Sequence, residues 1–109
     1  MGLRNMISII IPVYNEERNI APLFESLSKV MRGKTYEVLF IDDGSRDGTA
    51  QEIERLHKKS KNVRLLSFSR NYGKSAALQA GFDEAHGEIL ITMDGDLQDI
   101  PEEIPKFLA

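Results

Sequence analysis

The sequence predicts an α/β protein built on one mainly parallel sheet flanked by helices. Two observations carry this. Four apolar runs of strand length recur, at Met6 to Ile11, Glu37 to Ile41, Val63 to Phe68 and Ile89 to Met93, and each is followed by polar or glycine residues and then by a helical pattern. The order is β-α-β-α-β-α-β-α in one unit, without internal repeat, low-complexity tract or linker, and such alternation buries parallel strands under crossover helices. With 109 residues the chain is expected to be a single domain, 1–109, near the low end for an α/β enzyme with a complete substrate site, and a piece of a longer protein.

The first strand runs into Ile11-Pro12-Val13-Tyr14-Asn15-Glu16-Glu17. Pro12 has no N–H for a sheet, so it is expected to end the strand and open a loop at the ligand edge. There Tyr14 can stack on a base or sugar and Glu16 can accept hydrogen bonds; alternatively Tyr14 packs on a helix that Asn15 caps. In the first helix Ile20, Leu23, Phe24, Leu27, Val30 and Met31 recur at three- and four-residue spacing, and Gly33 supplies the stop.

The second strand ends in Asp42-Asp43-Gly44-Ser45-Arg46-Asp47-Gly48-Thr49. Adjacent carboxylates repel unless a cation, a donor-rich ligand or backbone amides satisfy them. A ribose hydroxyl pair or a base N–H suits one of them, while the other can bond Ser45 or Thr49 and shape the turn. Gly44 and Gly48 read as turn glycines, since neither Walker spacing nor G-x-G-x-x-G occurs. Asp47 is placed to cap a helix with Ala50, Ile53 and Leu56 inward and Lys58, Lys59 and Lys61 at its solvated end.

After the third strand, Ser69-Arg70-Asn71-Tyr72-Gly73-Lys74-Ser75 lacks the first glycine of a P-loop. Arg70 and Lys74 at a helix N-terminus can still hold a diphosphate, where charge and free amides converge, or remain two solvated cations. The third helix, from Lys74 to Ala85, has a face of small residues, Ala76, Ala77, Ala80, Gly81 and Ala85, suited to close approach to a sheet; Gly87 ends it. A last helix opens at Pro101, with Asp99 as its cap.

The fourth run, Ile89 to Met93, reads as a buried strand leading into Asp94-Gly95-Asp96. Ligands of open parallel sheets collect at the carboxyl ends of the strands. Two carboxylates around a glycine can turn toward one hard cation, Mg²⁺ or Mn²⁺, which shares its other positions with phosphate oxygens and water, and Gln98 offers a further oxygen. Such a cation acts as a Lewis acid on a leaving diphosphate. His57 and His86 are too isolated to form a ligand pair and are expected at the surface.

Composition excludes other classes. A net charge of -3 gives no basic footprint for nucleic acid. With no cysteine, disulfides, thiolate metal sites and cysteine nucleophiles are ruled out. The apolar run within Met1 to Tyr14 is too short for a signal peptide, contains Pro12 and lacks a small-residue cleavage pattern. No stretch approaches the ~20 apolar residues of a membrane span, so the chain is expected to be soluble.

Taken together, Ile-Pro-Val-Tyr-Asn-Glu-Glu, Asp-Asp-Gly-Ser-Arg-Asp-Gly-Thr, Ser-Arg-Asn-Tyr-Gly-Lys and Met-Asp-Gly-Asp-Leu-Gln-Asp resemble the family 2 glycosyltransferases. These are inverting enzymes with a Rossmann-like GT-A fold and a nucleotide-sugar donor. The Arg-Asn-Tyr-Gly-Lys and Asp-Leu-Gln-Asp segments look most like the polyprenyl-phosphate branch, which resembles dolichyl-phosphate mannosyltransferase and its bacterial glucosyl counterparts. The resemblance implies that Pro12, Tyr14, Glu16 and Asp42 hold the nucleoside, and that Asp94, Asp96 and Gln98 bind the divalent cation and donor diphosphate. With the neighbours argued above, the candidate nucleotide-sugar residues are Pro12, Tyr14, Asn15, Glu16, Asp42, Asp43, Arg70, Lys74, Asp94 and Gly95; the candidate metal ligands are Asp94, Asp96 and Gln98.

The implied donor is a UDP- or GDP-sugar, the acceptor a lipid phosphate, and the location cytoplasmic, at the cytoplasmic face of a membrane for a full-length protein. In this family the aspartate that deprotonates the acceptor lies downstream of the nucleotide-binding half. No catalytic residue is therefore assigned, and the isolated chain is expected to bind donor but to transfer sugar poorly. Two other classes fit less well. A signalling receiver domain carries its acidic pair after the first strand, where this chain has Pro-Val-Tyr-Asn; a non-catalytic nucleotide-binding domain of the same fold would bind without turnover.

Overall fold

The computed structural model describes residues 6–95. Along the chain run β1 (Ile7–Val13), α1 (Glu17–Val30), β2 (Tyr36–Asp42), α2 (Thr49–Lys59), β3 (Val63–Ser67), α3 (Lys74–Glu84) and β4 (Ile89–Thr92). The helix expected from Pro101, with its Asp99 cap, lies outside the described residues.

The strands pair in parallel in the order β3-β2-β1-β4. The chain therefore lays β2 and β3 outward on one side of β1 and then crosses back to set β4 on the other side. That reversal creates a topological switch point between β1 and β4, where the loops leaving the two strands diverge. It follows from the pairing of distant segments and has no counterpart in local patterning.

Alternation along β1 divides the interior into two layers. Ile7, Ile9, Ile11 and Val13 join Val38, Phe40 and Val63 against Ile20, Leu23, Leu27 and Met31 of the α1 region and Ile53 of α2. On the other face Ile10, Leu39 and Ile41 meet Ala77 of α3. The small face of α3 acts as its sequence predicts: a Cβ added at Gly81 would collide with Ile10 and Ile41, so glycine there lets the helix lie directly on the sheet.

Two strand expectations need correction. β1 does not end at Pro12 but continues through it, with Pro12 opposite Ile41 and Val13 opposite Asp42. In a parallel pair, N–H and C=O of one residue face the same neighbour. Ile7 donates toward β2 and Val13 accepts from Asp43, whereas Ile10 accepts from Met93 beside β4. Pro12 thus turns its missing N–H toward β4, just past the last β4 pair, Ile10 with Thr92. Nor is β4 a buried strand. It is one of the sheet's two edge strands among the described residues, with Ile89 and Leu90 42% and 44% exposed.

A polar cluster ties together the amino ends of the strands. Ser8 Oγ donates to Glu37 Oε2 at 2.6 Å, the His86 N–H donates to the same oxygen at 2.8 Å, and Arg64 reaches Glu37 Oε1 at 2.9 Å. The Gly87 N–H closes the ring on Ser8 Oγ. Burial alone would raise the Glu37 pKa, but these hydrogen bonds and the Arg64 charge outweigh it and hold the carboxyl below its ordinary value. His57 and His86 are both exposed as expected, and His57 also bonds the Val63 carbonyl through Nδ1.

Candidate functional site

The loops leaving the strand ends are laced together before any ligand enters. Asn15 takes a left-handed backbone, φ 53°, which asparagine tolerates better than most residues. Its N–H donates to Ser45 Oγ and its Oδ1 accepts from the Arg46 N–H. The Glu16 N–H donates to Thr49 Oγ1, and Glu16 Oε1 accepts from Asn19 Nδ2 at 2.7 Å. Asn15 is therefore not the cap of α1; Glu16 occupies that position. Both residues tie the β1–α1 loop to the β2–α2 loop.

The two adjacent acids do different work. Asp42 accepts from the Ser45 N–H at 3.0 Å and from Ser67 Oγ at 3.5 Å, so it is the turn-shaping member. Asp43 turns to the β3–α3 loop: Oδ1 accepts from the Tyr72 N–H at 2.7 Å, and Oδ2 from the Gly73 N–H at 2.9 Å and Asn71 Nδ2 at 3.1 Å. The Tyr72 and Gly73 amides that lead into α3 are thus held by an internal carboxylate.

Asp47 accepts from both the N–H and Oγ1 of Thr49 and from the Glu17 N–H, although Gly48 sits at the cap position itself. The small burial of Asp47 would raise its pKa, but the Thr49 bonds and the Glu17 N–H overcome this and lower it.

These loops border an open cavity of about 330 Å³, lined by Pro12, Val13, Tyr14, Asp43, Asn71, Gly73, Lys74 and Asp94. Its size falls in the range of small-molecule sites, and it lies at the switch point between β1 and β4. Tyr14, 43% exposed, presents its ring at one side. In the same lining, Lys74 Nζ lies 2.7 Å from Asp94 Oδ1. That ion pair also walls a second cavity of about 250 Å³ with Leu78, Thr92 and Met93.

Of the residues singled out in the sequence, Pro12, Tyr14, Asp43, Lys74 and Asp94 meet in the first cavity. Asn15, Glu16 and Asp42 build its loops without lining it. Arg70 stands over the Tyr72 ring, 5.0 Å from its centre, outside the cavity wall. Gly95 is buried against Val13. Asp96 and Gln98 lie outside the described residues. Sequence reasoning missed Val13, Asn71 and Gly73; the last two sit between the cations Arg70 and Lys74, where an Asn and a Gly at a loop mark a shaped turn.

The donor set suits a hard cation as far as it is described. Asp94 offers carboxylate oxygen and already partners a positive charge, that of Lys74. Among the described residues no group of three acidic, histidine or cysteine side chains is placed to hold a metal, and the expected ligands Asp96 and Gln98 lie outside them. No helix of the described residues is long and apolar enough to cross a membrane.

Comparison with known proteins places this geometry in a family. An undecaprenyl-phosphate 4-deoxy-4-formamido-L-arabinose transferase of Proteus mirabilis is 42% identical over 108 residues, covering 96% of this chain and 33% of the relative. The chain thus spans about a third of the length of that relative. A mannosyltransferase from Pyrobaculum calidifontis, solved with GDP-Man and Mn²⁺, superposes with a TM-score of 0.76 at 26% identity, over 87% of this chain and 28% of that one. Glucosyl-3-phosphoglycerate synthase from Mycobacterium tuberculosis, solved with Mn²⁺, UDP and glucosyl-3-phosphoglycerate, gives 0.74 at 26% identity, over 93% and 37%. These neighbours have the GT-A fold, and the parallel sheet and helices of this chain match part of it. The profile of glycosyl transferase family 2 matches residues 8–109, and the chain belongs to that family.

Proposed function

We propose that this chain is the donor-binding part of an inverting hexosyltransferase. It holds a UDP- or GDP-sugar together with Mg²⁺ or Mn²⁺, for transfer to an acceptor such as a polyprenyl phosphate. The carrying observation is the cavity at the β1/β4 switch point, whose lining includes both the exposed Tyr14 and the Lys74–Asp94 pair. An apolar ring face suits a base or ribose, and a cation beside a carboxylate suits a metal-chelated diphosphate. The relatives' names and ligands, an undecaprenyl-phosphate transferase and complexes with GDP-Man or UDP and Mn²⁺, support the same reading.

In this reading Pro12, Val13 and Tyr14 receive the nucleoside, with Asn15, Glu16 and Asp42 shaping the loops around it. Lys74 bonds diphosphate oxygen, and Asp94, Asp96 and Gln98 hold the cation. When bound, the cation neutralises charge that develops on the departing nucleoside diphosphate. Arg70 moves from the Tyr72 ring only if the diphosphate draws it in.

Calorimetry of UDP, GDP and their sugars, with and without Mn²⁺, tests the assignment. Mn²⁺ is expected to raise affinity for one nucleotide by about tenfold or more, and Asp96→Ala to remove that gain. Binding that ignores both the metal and the substitution overturns it.

A further inference from the structure

We propose that Asn15 is a positioning residue of the donor site: its left-handed backbone, latched to the β2–α2 loop, turns the chain directly after Tyr14 and so fixes the Tyr14 side chain in the cavity lining. The inference rests on the donor-site reading above.

Among the described residues Asn15 alone, glycines aside, has a positive φ, at 53°. A side chain disfavours that region, so the surroundings must over-determine it, and strain of this kind collects at ligand sites. Asn15 is exposed and stands outside the cavity lining, so burial does not account for its conformation. The neighbouring loop does. The Asn15 N–H donates to Ser45 Oγ at 2.8 Å, and Asn15 Oδ1 accepts from the Arg46 N–H at 2.9 Å. Ser45 is itself fixed, since its N–H donates to Asp42 Oδ1 at 3.0 Å. The latch therefore runs from the end of β2 to a single residue of the β1–α1 loop.

Tyr14 stands between residues pinned on both sides. Before it, the Val13 carbonyl accepts from the Asp43 N–H at 2.9 Å; after it come the two bonds of Asn15 and the Glu16 N–H donating to Thr49 Oγ1 at 2.9 Å. A tyrosine side chain turns about only two torsions, so a held backbone leaves its ring few positions. A ring placed in advance loses little freedom when a ligand arrives, and binding gains by that saving. An ordinary negative φ at position 15 would redirect the chain after Tyr14 and part both Asn15 bonds.

The test is a double-substitution cycle read by calorimetry with UDP and GDP, with and without Mn²⁺. Asn15→Gly takes the same φ without strain but deletes Oδ1, so it opens the latch without burdening the fold. It is expected to weaken binding of the preferred nucleotide about fivefold, the value of one hydrogen bond, and by the same factor whether or not Mn²⁺ is present. Ser45→Ala, which opens the other half of the latch, is expected to do likewise. In a Tyr14→Ala background each substitution should cost less than about twofold, because residues that act through one another are not additive. An equal loss in both backgrounds overturns the proposal, as does a loss that appears only with Mn²⁺, which would put the effect at the metal end of the site.

Amide hydrogen exchange supplies the arm that needs no ligand. Asn15→Gly should speed exchange at Arg46 and Glu16 about tenfold while Phe40, in the centre of β2, keeps its protection. Unchanged exchange at those two amides overturns the proposal, and so does loss of protection throughout the sheet. If the unsubstituted chain binds neither nucleotide, the donor-site reading fails and takes this proposal with it; if it binds and the losses are additive, the proposal fails alone.

Discussion

At Gly44 the β2–α2 loop meets the backbone of Arg70 and Asn71 so closely that an added Cβ would collide with both, and its φ of 77° lies in the left-handed region. Glycine meets both demands at once. Gly44→Ala is expected to destabilise the protein by about 2–4 kcal/mol, read from urea unfolding, because it combines left-handed strain with a backbone clash that no side-chain rotation relieves. The sequence marked this glycine as a turn residue but not as the point where two loops touch. The same holds for Asp42 and Asp43. As neighbours in the sequence they are chemically equivalent, and their separate roles come from their partners: the nearby Ser45 and the distant Ser67 for one, the distant 71–73 turn for the other. Tyr14, Lys74 and Asp94 were legible because residue type and position at a strand end or helix start together restrict what they can do.

Among the elements, periodicity located all three helices of the described region within a residue or two. The face of each was legible too, because a buried face requires repetition. The small face of α3 makes a sharp prediction. Gly81→Val, at the site where glycine rests on Ile10 and Ile41, should lift the helix from the sheet and cost about 1–3 kcal/mol in chemical denaturation. Ala80→Val, on the partly buried neighbouring position, is the comparison and should cost less. The strands were harder to read at their ends. Pro12 looked like a terminus because its missing N–H rules it out of most ladders; it is tolerated since that side of β1 faces the end of the β4 pairing. The apolar run of β4 looked like a buried strand, whereas its burial depends on what lies beside it, and hydrophobicity alone does not report that.

For the whole molecule, the strand order β3-β2-β1-β4 separates two functions along the strand axis. The carboxyl ends carry the cavity, and the amino ends carry the polar cluster around Glu37. The latter has a pH consequence. In the fold the Glu37 pKa lies below its ordinary 4.5, and unfolding returns it there. The unfolded chain therefore takes up this proton first as pH falls, so the stabilisation is present above about pH 4.5 and is lost below it, as the folded group titrates. Glu37→Gln should lower stability at pH 7 by about 1–3 kcal/mol, by weakening the Arg64, Ser8 and His86 contacts. It should also flatten the acid limb of a thermal-denaturation series below pH 4.5; an unchanged limb would assign that limb to other carboxyls, such as Asp47. Topology also dictates an order of assembly. β1 and β2 meet across a single helix, but Ile7 must find Ile89 from almost the far end of the described chain, and closing so long a loop is slow even though its entropic cost grows only gradually with length. The strand that delivers Asp94 is thus expected to dock last and to part first, read as the fastest amide exchange among the sheet's strands, which would make the cavity's acidic wall a late and reversible acquisition of a core that has already formed.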